Sequence, residues 1–450
     1  MLHPAEPGDP LLYRRLRRLG RLTVAERLQA LCDPGSFEES EPDVRELDGT
    51  PALGVRCGFA QVHGVAVAVY AHDPALRRGA LGAGSAGKVA RLLTEAARRG
   101  TPVLALHHCD GVRVEEGIRA VQGWEALLGG HVRLQGVVPQ LAAVLGTGVG
   151  ASAYAVALCD LVVMVRERSF LFVVGPRGVK QATGQDVGMD DLGGADVHAR
   201  STGIAHALVD DDRAAIARLR AWVQVFGGPA PGTAADASIA GLIPSDFRRP
   251  YDVRPVLDAL GDAPLDELQP DWARNLVVGF LRIGGRAVGV LASQPKHLAG
   301  CLDVLASRKG AAFVRLCDAF GVPIVTFVDV PGYLPGPQQE AAGILRFGAD
   351  LLTAYGRTTT RSIAVVLRKS YGGASVLSCT ADRVLALPGA KLSSMGADAA
   401  RVALGERAGD PDGAPVVDET LETAVAAGYV HEVVAPDALR DRLIALLDAP

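Results

Sequence analysis

The chain has 450 residues, of which 49% are hydrophobic, and a formal net charge of −4. That length exceeds one ordinary core and predicts two domains. Near balance between 46 basic and 50 acidic residues leaves no basic field for nucleic acid, and no apolar run reaches the length of a membrane span. Seven scattered cysteines without a CxxC pair argue against a zinc ribbon or a disulfide framework, and fit a reducing cytoplasm.

Residues 1–50 read as a helical arm. Its arginine-rich start lacks the apolar core of a signal peptide and reads as a basic surface helix. Leu22, Ala25, Leu28 and Leu31 follow helical spacing, and Asp33, Pro34 and Gly35 stop the helix. The runs VRCGFAQV and VAVAVYA, split by His63 and Gly64, predict a β-hairpin. SAGKVARLLTEAARRG predicts an amphipathic helix closed by Gly100. Strand and helix then alternate to residue 226, as in a layered α/β domain. Residues 227–253, rich in Gly, Pro, Ala and Ser, read as a linker between domains 1–226 and 254–450. The order then restarts. FLRIGGRAVGVLA predicts a hairpin turning at Gly284 and Gly285, LDVLASRKGAAFVRLCDAFG a helix ending at Gly321, and PIVTFVDV a buried strand.

Two stretches carry the same apparatus. PVLALHHCDGVR and VVPQLAAVLGTGVGAS in the first half match PIVTFVDVPGYL and SIAVVLRKSYGGAS in the second. Gly111 to Gly150 is 39 positions (150 − 111) and Gly332 to Gly372 is 40 (372 − 332), which predicts a duplicated fold. Small residues where a strand meets a helix let backbone N–H groups point at a ligand oxygen. Two such places predict two reactants, each with a developing negative oxygen. His107, His108, Cys109 and Asp110 lie on alternating faces of a strand end and cannot converge, so no metal site is expected.

The segments RNLVVGFLRIGGRAVGVLASQP, KGAAFVRLCDAFGVPIVTFVDVPGYLPGPQQEAAGILRFGADLLTAYG and VVLRKSYGGA, with looser matches such as GVVPQLAAVLG and SFLFVVGPRGVK, carry a family resemblance. The chain resembles the β subunit, or carboxyltransferase, of biotin-dependent acyl-CoA carboxylases of the propionyl-CoA type. The resemblance implies an α/β fold of tandem duplicated crotonase-type (ClpP-like) domains and a ring-shaped hexamer. It also implies a biotin carboxylase/biotin carrier α subunit as partner. The N-terminal half would receive the acyl-CoA thioester and the C-terminal half carboxybiotin. It implies transfer of CO2 to the α-carbon of the acyl thioester with no side-chain base.

On the biotin side the resemblance assigns catalysis to Gly373 and Ala374, with Gly372 allowing the turn. On the acyl side it assigns Gly150 and Ala151, where the family usually has two glycines. Gly111, Arg113, Lys180, Gly372, Ser375 and Val376 are the expected substrate-binding residues, with Arg113, Arg177 and Lys180 as candidate cations for the CoA phosphates. Three departures stand out. Asp110 replaces a glycine in the family's Gly-Gly-Ala-Arg turn, where it either opposes an enolate or faces Arg113 or water. Ser375 and Val376 replace Tyr-Asp at a position tied to acyl-chain choice, which implies a pocket for a longer or unusual chain or a change of packing. The region after Met395 and Gly396 is short. A decarboxylase or a transferase on an acyl-carrier substrate would use the same turns. A non-catalytic hexamer-forming paralogue would explain Asp110 and Ala151.

Overall fold

A computed structural model describes residues 10–228, 232, 238–403 and 420–449. The chain divides into two compact units, Met1–Gly227 and Gly228–Pro450. The first holds an eight-stranded sheet in the order β1-β2-β3-β4-β5-β6-β8, with β7 beside β5. Its strands are β1 (Glu38–Glu39), β2 (Val55–Val62), β3 (Val65–His72), β4 (Val103–Cys109), β5 (Gln140–Val149), β6 (Leu161–Val165), β7 (Phe170–Phe172) and β8 (Ala207–Val209). The second holds β9 (Asp266–Leu268), β10 (Leu276–Ile283), β11 (Arg286–Ser293), β12 (Ile324–Val330), β13 (Ser362–Tyr371), β14 (Arg383–Ala386), β15 (Lys391–Ser393) and β16 (Glu432–Val433). Its order is β9-β10-β11-β12-β13-β14-β16 with β15 beside β13, the same path. Both sheets begin antiparallel and continue parallel. Both slip register at the same place, at His107/Cys109 and at Val328/Val330.

The duplication extends to side chains. Each hairpin turns through two left-handed residues, His63 and Gly64 in one unit, Gly284 and Gly285 in the other, the pattern that matches the strands' own twist. Asp33 accepts the N–H groups of His63 (3.0 Å) and Gly64 (2.8 Å), and Asp262 those of Gly284 (3.1 Å) and Gly285 (2.7 Å). Arg220 pairs with Asp33 at 3.1 Å and Arg440 with Asp262 at 2.5 Å. Asp160 and Asp382 each accept the first N–H of the central strand, from Gln140 and Ser362, at 2.8 Å. His206 and His431 accept the N–H groups of Val162 and Val384 at 3.1 and 3.0 Å. A buried lysine sits in the first helix after each hairpin. Lys88, in the helix Ala83–Arg99, reaches the Val55 carbonyl at 3.3 Å. Lys309, in Val304–Ala319, donates to the carbonyls of Gln269, Trp272 and Leu276 at 2.8–3.0 Å. Burial pushes Lys309 down to about 7 despite those three carbonyls.

Residues 238–253, part of the segment whose composition suggested a linker, pack on the second unit. Ile239, Tyr251 and Val253 join its core, and Arg368 donates to the carbonyls of Asp246 and Arg249 at 2.9 and 3.0 Å. Residues 229–231 and 233–237 lie outside the described residues, as do 404–419 in the shortened region after Met395 and Gly396.

The first core is marked by buried histidines. It buries His72, His107, His108 and His131. The His72 and His107 rings meet edge-on at 4.7 Å, and His131 contacts the Tyr70 hydroxyl at 3.1 Å and Gln140 Oε1 at 2.6 Å. By strand alignment the counterparts of His72, His107 and His108 are Ser293, Val328 and Asp329. Burial pushes His72 to about 3 and His131 to about 4, and lowers His107 and His108 as well. These rings stay neutral when folded and take a proton at pH 6.5 when unfolded, so the unfolded chain binds more protons below pH 6.5. Their contribution to stability therefore falls as pH drops from 6.5 toward 4. Asp160, raised by burial to about 6, opposes this in part. Hydrogen exchange at pH 5 should show β3–β5 losing protection before β11–β13. Equal loss in both sheets would contradict the assignment.

Candidate active site

Each central strand ends in a turn that only glycine makes easily. β5 and β13 each have ten residues, and they are followed by Gly150 (φ +60°) and Gly372 (φ +61°). The neighbouring strands β4 and β12 are followed by Gly111 (φ +95°) and Gly332 (φ +144°). Strand alignment therefore equates Gly150 with Gly372, Ala151 with Gly373 and Ser152 with Ala374. The donor pairs expected from sequence, Gly150–Ala151 and Gly373–Ala374, are thus one residue out of step with each other. Ala151 and Gly373 both lie outside the left-handed region, so alanine fits at 151 without strain.

On the first unit's side, the Gly150 N–H is spent on the Phe172 carbonyl at 3.0 Å. Ala151, which opens the short helix Ala151–Ala157, is then the first residue whose N–H has no carbonyl one turn behind it. The two turns of this unit touch. A Cβ at Gly111 would lie 2.9 Å from the Val149 carbonyl. Ser152 Oγ accepts the Val149 N–H at 2.8 Å and faces the carbonyls of Cys109 and Val149 at 2.8 and 3.0 Å. Sequence reasoning passed over Ser152; its place in the small-residue run GAS was the available signal.

Arg113 is not the expected phosphate ligand. It is buried, pairs with Glu46 (3.5 Å) and Glu116 (3.8 Å), and its Nε donates to the Ala80 carbonyl at 3.4 Å. The same two carboxylates accept the N–H groups of Ala83 (2.7 Å) and Gly84 (2.9 Å), so Arg113 helps cap the helix Ala83–Arg99. Lys180, on the exposed helix Pro176–Thr183, pairs with Asp186 at 2.6 Å. Such an exposed pair holds its partners weakly, and Lys180 and Arg177 stay available to an anion.

Asp110 pairs with neither Arg113 nor water alone; its carboxylate meets Arg78 at 2.5 Å. Burial pushes its pKa up and Arg78 pulls it down. Arg78 stands in a strained turn of three left-handed residues, Arg77 (+48°), Arg78 (+58°) and Gly79 (+73°). The second unit repeats it at Leu298 (+47°), Ala299 (+53°) and Gly300 (+79°), without charge.

On the second unit's side, Gly373 is exposed and Ala374 and Val376 are buried beneath it. Two clefts of about 470 Å3 flank this turn. One is apolar, with Tyr333, Leu334, Ile344, Leu345, Val376 and Cys379. The other presents hydroxyls from Ser370, Ser375, Ser393, Thr423 and Tyr429. Behind the turn Arg368 Nε meets Asp329 at 2.7 Å, both buried; His108 and Gly146 fill the matching positions in the first unit.

This arrangement has known counterparts. The carboxyl transferase domain pattern matches residues 16–408. The chain belongs to the carboxyl transferase family. It is 36% identical to the propionyl-CoA carboxylase carboxyltransferase subunit of Haloferax mediterranei, over 95% of this chain and 90% of that one. It is 35% identical to the methylmalonyl-CoA decarboxylase subunit alpha of Veillonella parvula, over 94% and 89%. A crystal structure of transcarboxylase 12S, a hexamer assembly with hydrolysed methylmalonyl-coenzyme A bound, matches with TM-score 0.92 at 34% identity, over 98% of this chain and 92% of its own. The protein is a carboxyltransferase of the acyl-CoA carboxylase type, built from two crotonase-type domains.

Two outcomes test the geometry. Gly372→Ala should lower carboxyl transfer by about 10²–10³, because the displaced turn loses an oriented donor. Gly373→Ala should stay within about fivefold of wild type, since Ala151 already occupies the equivalent place. Equal losses would contradict the alignment. Asp110→Gly should change the rate less than about fivefold, the scale of one partly exposed ion pair. A rise of 10²-fold would instead mean that Asp110 suppresses the reaction.

Proposed function

We propose that the first unit's turns, at Gly111 and Gly150–Ala151, hold the acyl-CoA thioester. The second unit's Gly372–Gly373–Ala374 turn holds carboxybiotin carried by a separate biotin carboxylase/biotin carrier subunit. The observation that carries this reading is the pair of matched turns, Gly150 and Gly372, at φ +60° and +61°. Carboxybiotin supplies the CO2 and a ureido base. The Gly372–Ala374 backbone N–H groups would stabilise the charge left on the ureido oxygen, with the hydroxyl-lined cleft beside them suited to a polar ring. The Ala151 N–H would stabilise the thioester oxygen while the α-carbon loses its proton and gains CO2. Arg177 and Lys180 are the candidate cations for the CoA phosphates.

The acyl group is proposed to be larger than propionyl. The family resemblance ties position 376 to acyl-chain choice, and in the proposed hexamer, where the second unit of one subunit would face the first unit of another, the acyl chain would meet the apolar cleft beside Gly373, with Val376 buried in its wall. Assembly as a hexamer is supported by exposed apolar side chains on matching elements of the two units, Val114 (82%) and Ile118 (71%) in one, Leu345 (79%) in the other. A cytoplasmic location belongs to the same reading; no helix among the described residues is long and apolar enough to cross a membrane. Decarboxylation is the second reading, favoured by likeness to the Veillonella decarboxylase subunit.

The chain, purified with a biotinylated partner, should carboxylate acyl-CoAs with a kcat/KM that rises from acetyl through longer chains. Val376→Asp should cut the longer-chain kcat/KM by about tenfold or more relative to propionyl-CoA, the scale of a pocket mismatch. An unchanged chain-length profile would remove Val376 from substrate choice. Release of CO2 from a carboxylated acyl-CoA without any biotinylated partner would favour the decarboxylase reading.

A further inference from the structure

The acyl-side turn leans on β7, the counterpart of β15 in the second unit. Gly150 is held by the Phe172 carbonyl at 3.0 Å, so the position of β7 sets where the Ala151 N–H points. β7 has only three residues and one partner strand, β5. Its other side rests on the segment 193–202. Gly194 bridges to Phe170, and Gly193 packs so close beneath the Leu171 carbonyl that any Cβ would clash. The chain then runs into a π-helical turn, His198–Thr202, a wide and uncommon form that is often found at functional sites. Its first residue, His198, is buried at 7% exposure. His198 Nε2 meets the Leu171 carbonyl at 2.8 Å, so Nε2 carries the proton. Nδ1 faces the Thr202 hydroxyl at 3.0 Å, which fixes ring and tautomer. Leu171 itself is core, and it packs where Gly148 of β5 lacks a side chain.

We infer that His198, fixed by Thr202, is a positioning residue for carboxyl transfer: it holds the Leu171 carbonyl, and through β7 and the Phe172 carbonyl it aims the Ala151 N–H at the thioester oxygen. The inference rests on the acyl-side reading of the first unit. His198 touches no reacting atom in this account. Its effect runs along the chain from Leu171 to Phe172, and across the hydrogen bond from the Gly150 N–H to the Phe172 carbonyl. Small displacements of an oriented donor are costly, on the order of 10²-fold for about 1 Å, whereas substrate binding has many other contacts to rely on.

The test compares two amides in the complex with the biotinylated partner. In His198→Gln the side-chain nitrogen can reach the Leu171 carbonyl; in His198→Asn it is one methylene too short. The Gln variant should keep kcat within about threefold of wild type, and the Asn variant should lose on the order of 10²-fold. KM for the acyl-CoA should stay unchanged in both. Loss of CO2 from carboxybiotin without acyl-CoA, a reaction of the other unit, should also stay unchanged. Equal kcat in the two variants, or a loss shared by the biotin-only reaction, overturns the inference. Should neither variant fold, Thr202→Val gives the same reading. It frees Nδ1, and a kcat that does not fall then overturns the role of the fixed ring. A wild-type complex that carboxylates no acyl-CoA would sink the acyl-side reading itself, which separates that failure from this one.

Discussion

A strand that must stop and hand its chain to a helix at once needs a residue with positive φ between them. Gly150 and Gly372 are those residues, with φ values of +60° and +61°. The left-handed step turns the next N–H away from the sheet's own carbonyls, at the end of a ladder held rigid by neighbours on both sides. Such a donor cannot relax toward an internal partner. It therefore needs no reorganisation when charge appears on a ligand oxygen. A reaction whose charge develops on oxygens can be run by backbone donors alone.

The duplication shows which features the fold needs and which each reaction side needs. Asp33 and Asp262 clasp the hairpins, Asp160 and Asp382 start the central strands, and Lys88 and Lys309 tie helix to strand. These pairs occur twice because both sheets need them. Behind the turns the units part. The second unit buries the Arg368–Asp329 pair, whose desolvation is offset by the extra carbonyls that Arg368 meets. The first unit puts the neutral His108 ring against Gly146 and leaves the space uncharged.

The local features were legible in the sequence. The hairpins at His63 and Gly284, the helix ending at Gly100, and the 39- and 40-residue spacings rest on short-range chemistry that composition and period report. Long-range pairing was not legible. Arg113 meets Glu46, 67 positions away (113 − 46), and Asp110 meets Arg78 rather than its near neighbour. No spacing rule selects such partners. The offset between the two donor pairs escaped because the resemblance assigned each pair separately, whereas the spacing and the φ values both match Gly150 with Gly372, which puts Ala151 level with Gly373. The segment 238–253 escaped because Gly and Pro report a lack of regular structure, and Ile239 and Tyr251 are buried without any.

Two departures from the family pattern favoured a chain without activity, and the structure gives each a benign account. Ala151 stands where the second unit has Gly373, at a backbone angle any residue adopts, so its methyl group costs nothing and its N–H is kept. Asp110 lies against the Arg78 guanidinium, so the pair brings no net charge to the turn. What remains unusual is apolar. Val376 is buried beside a cleft lined by Tyr333, Leu334, Ile344 and Leu345, where a carboxylate would have organised water and resisted a hydrocarbon tail. On the proposed reading, a change that keeps both anion-stabilising turns and alters only the surface beside one of them would act on substrate choice and leave the reaction in place.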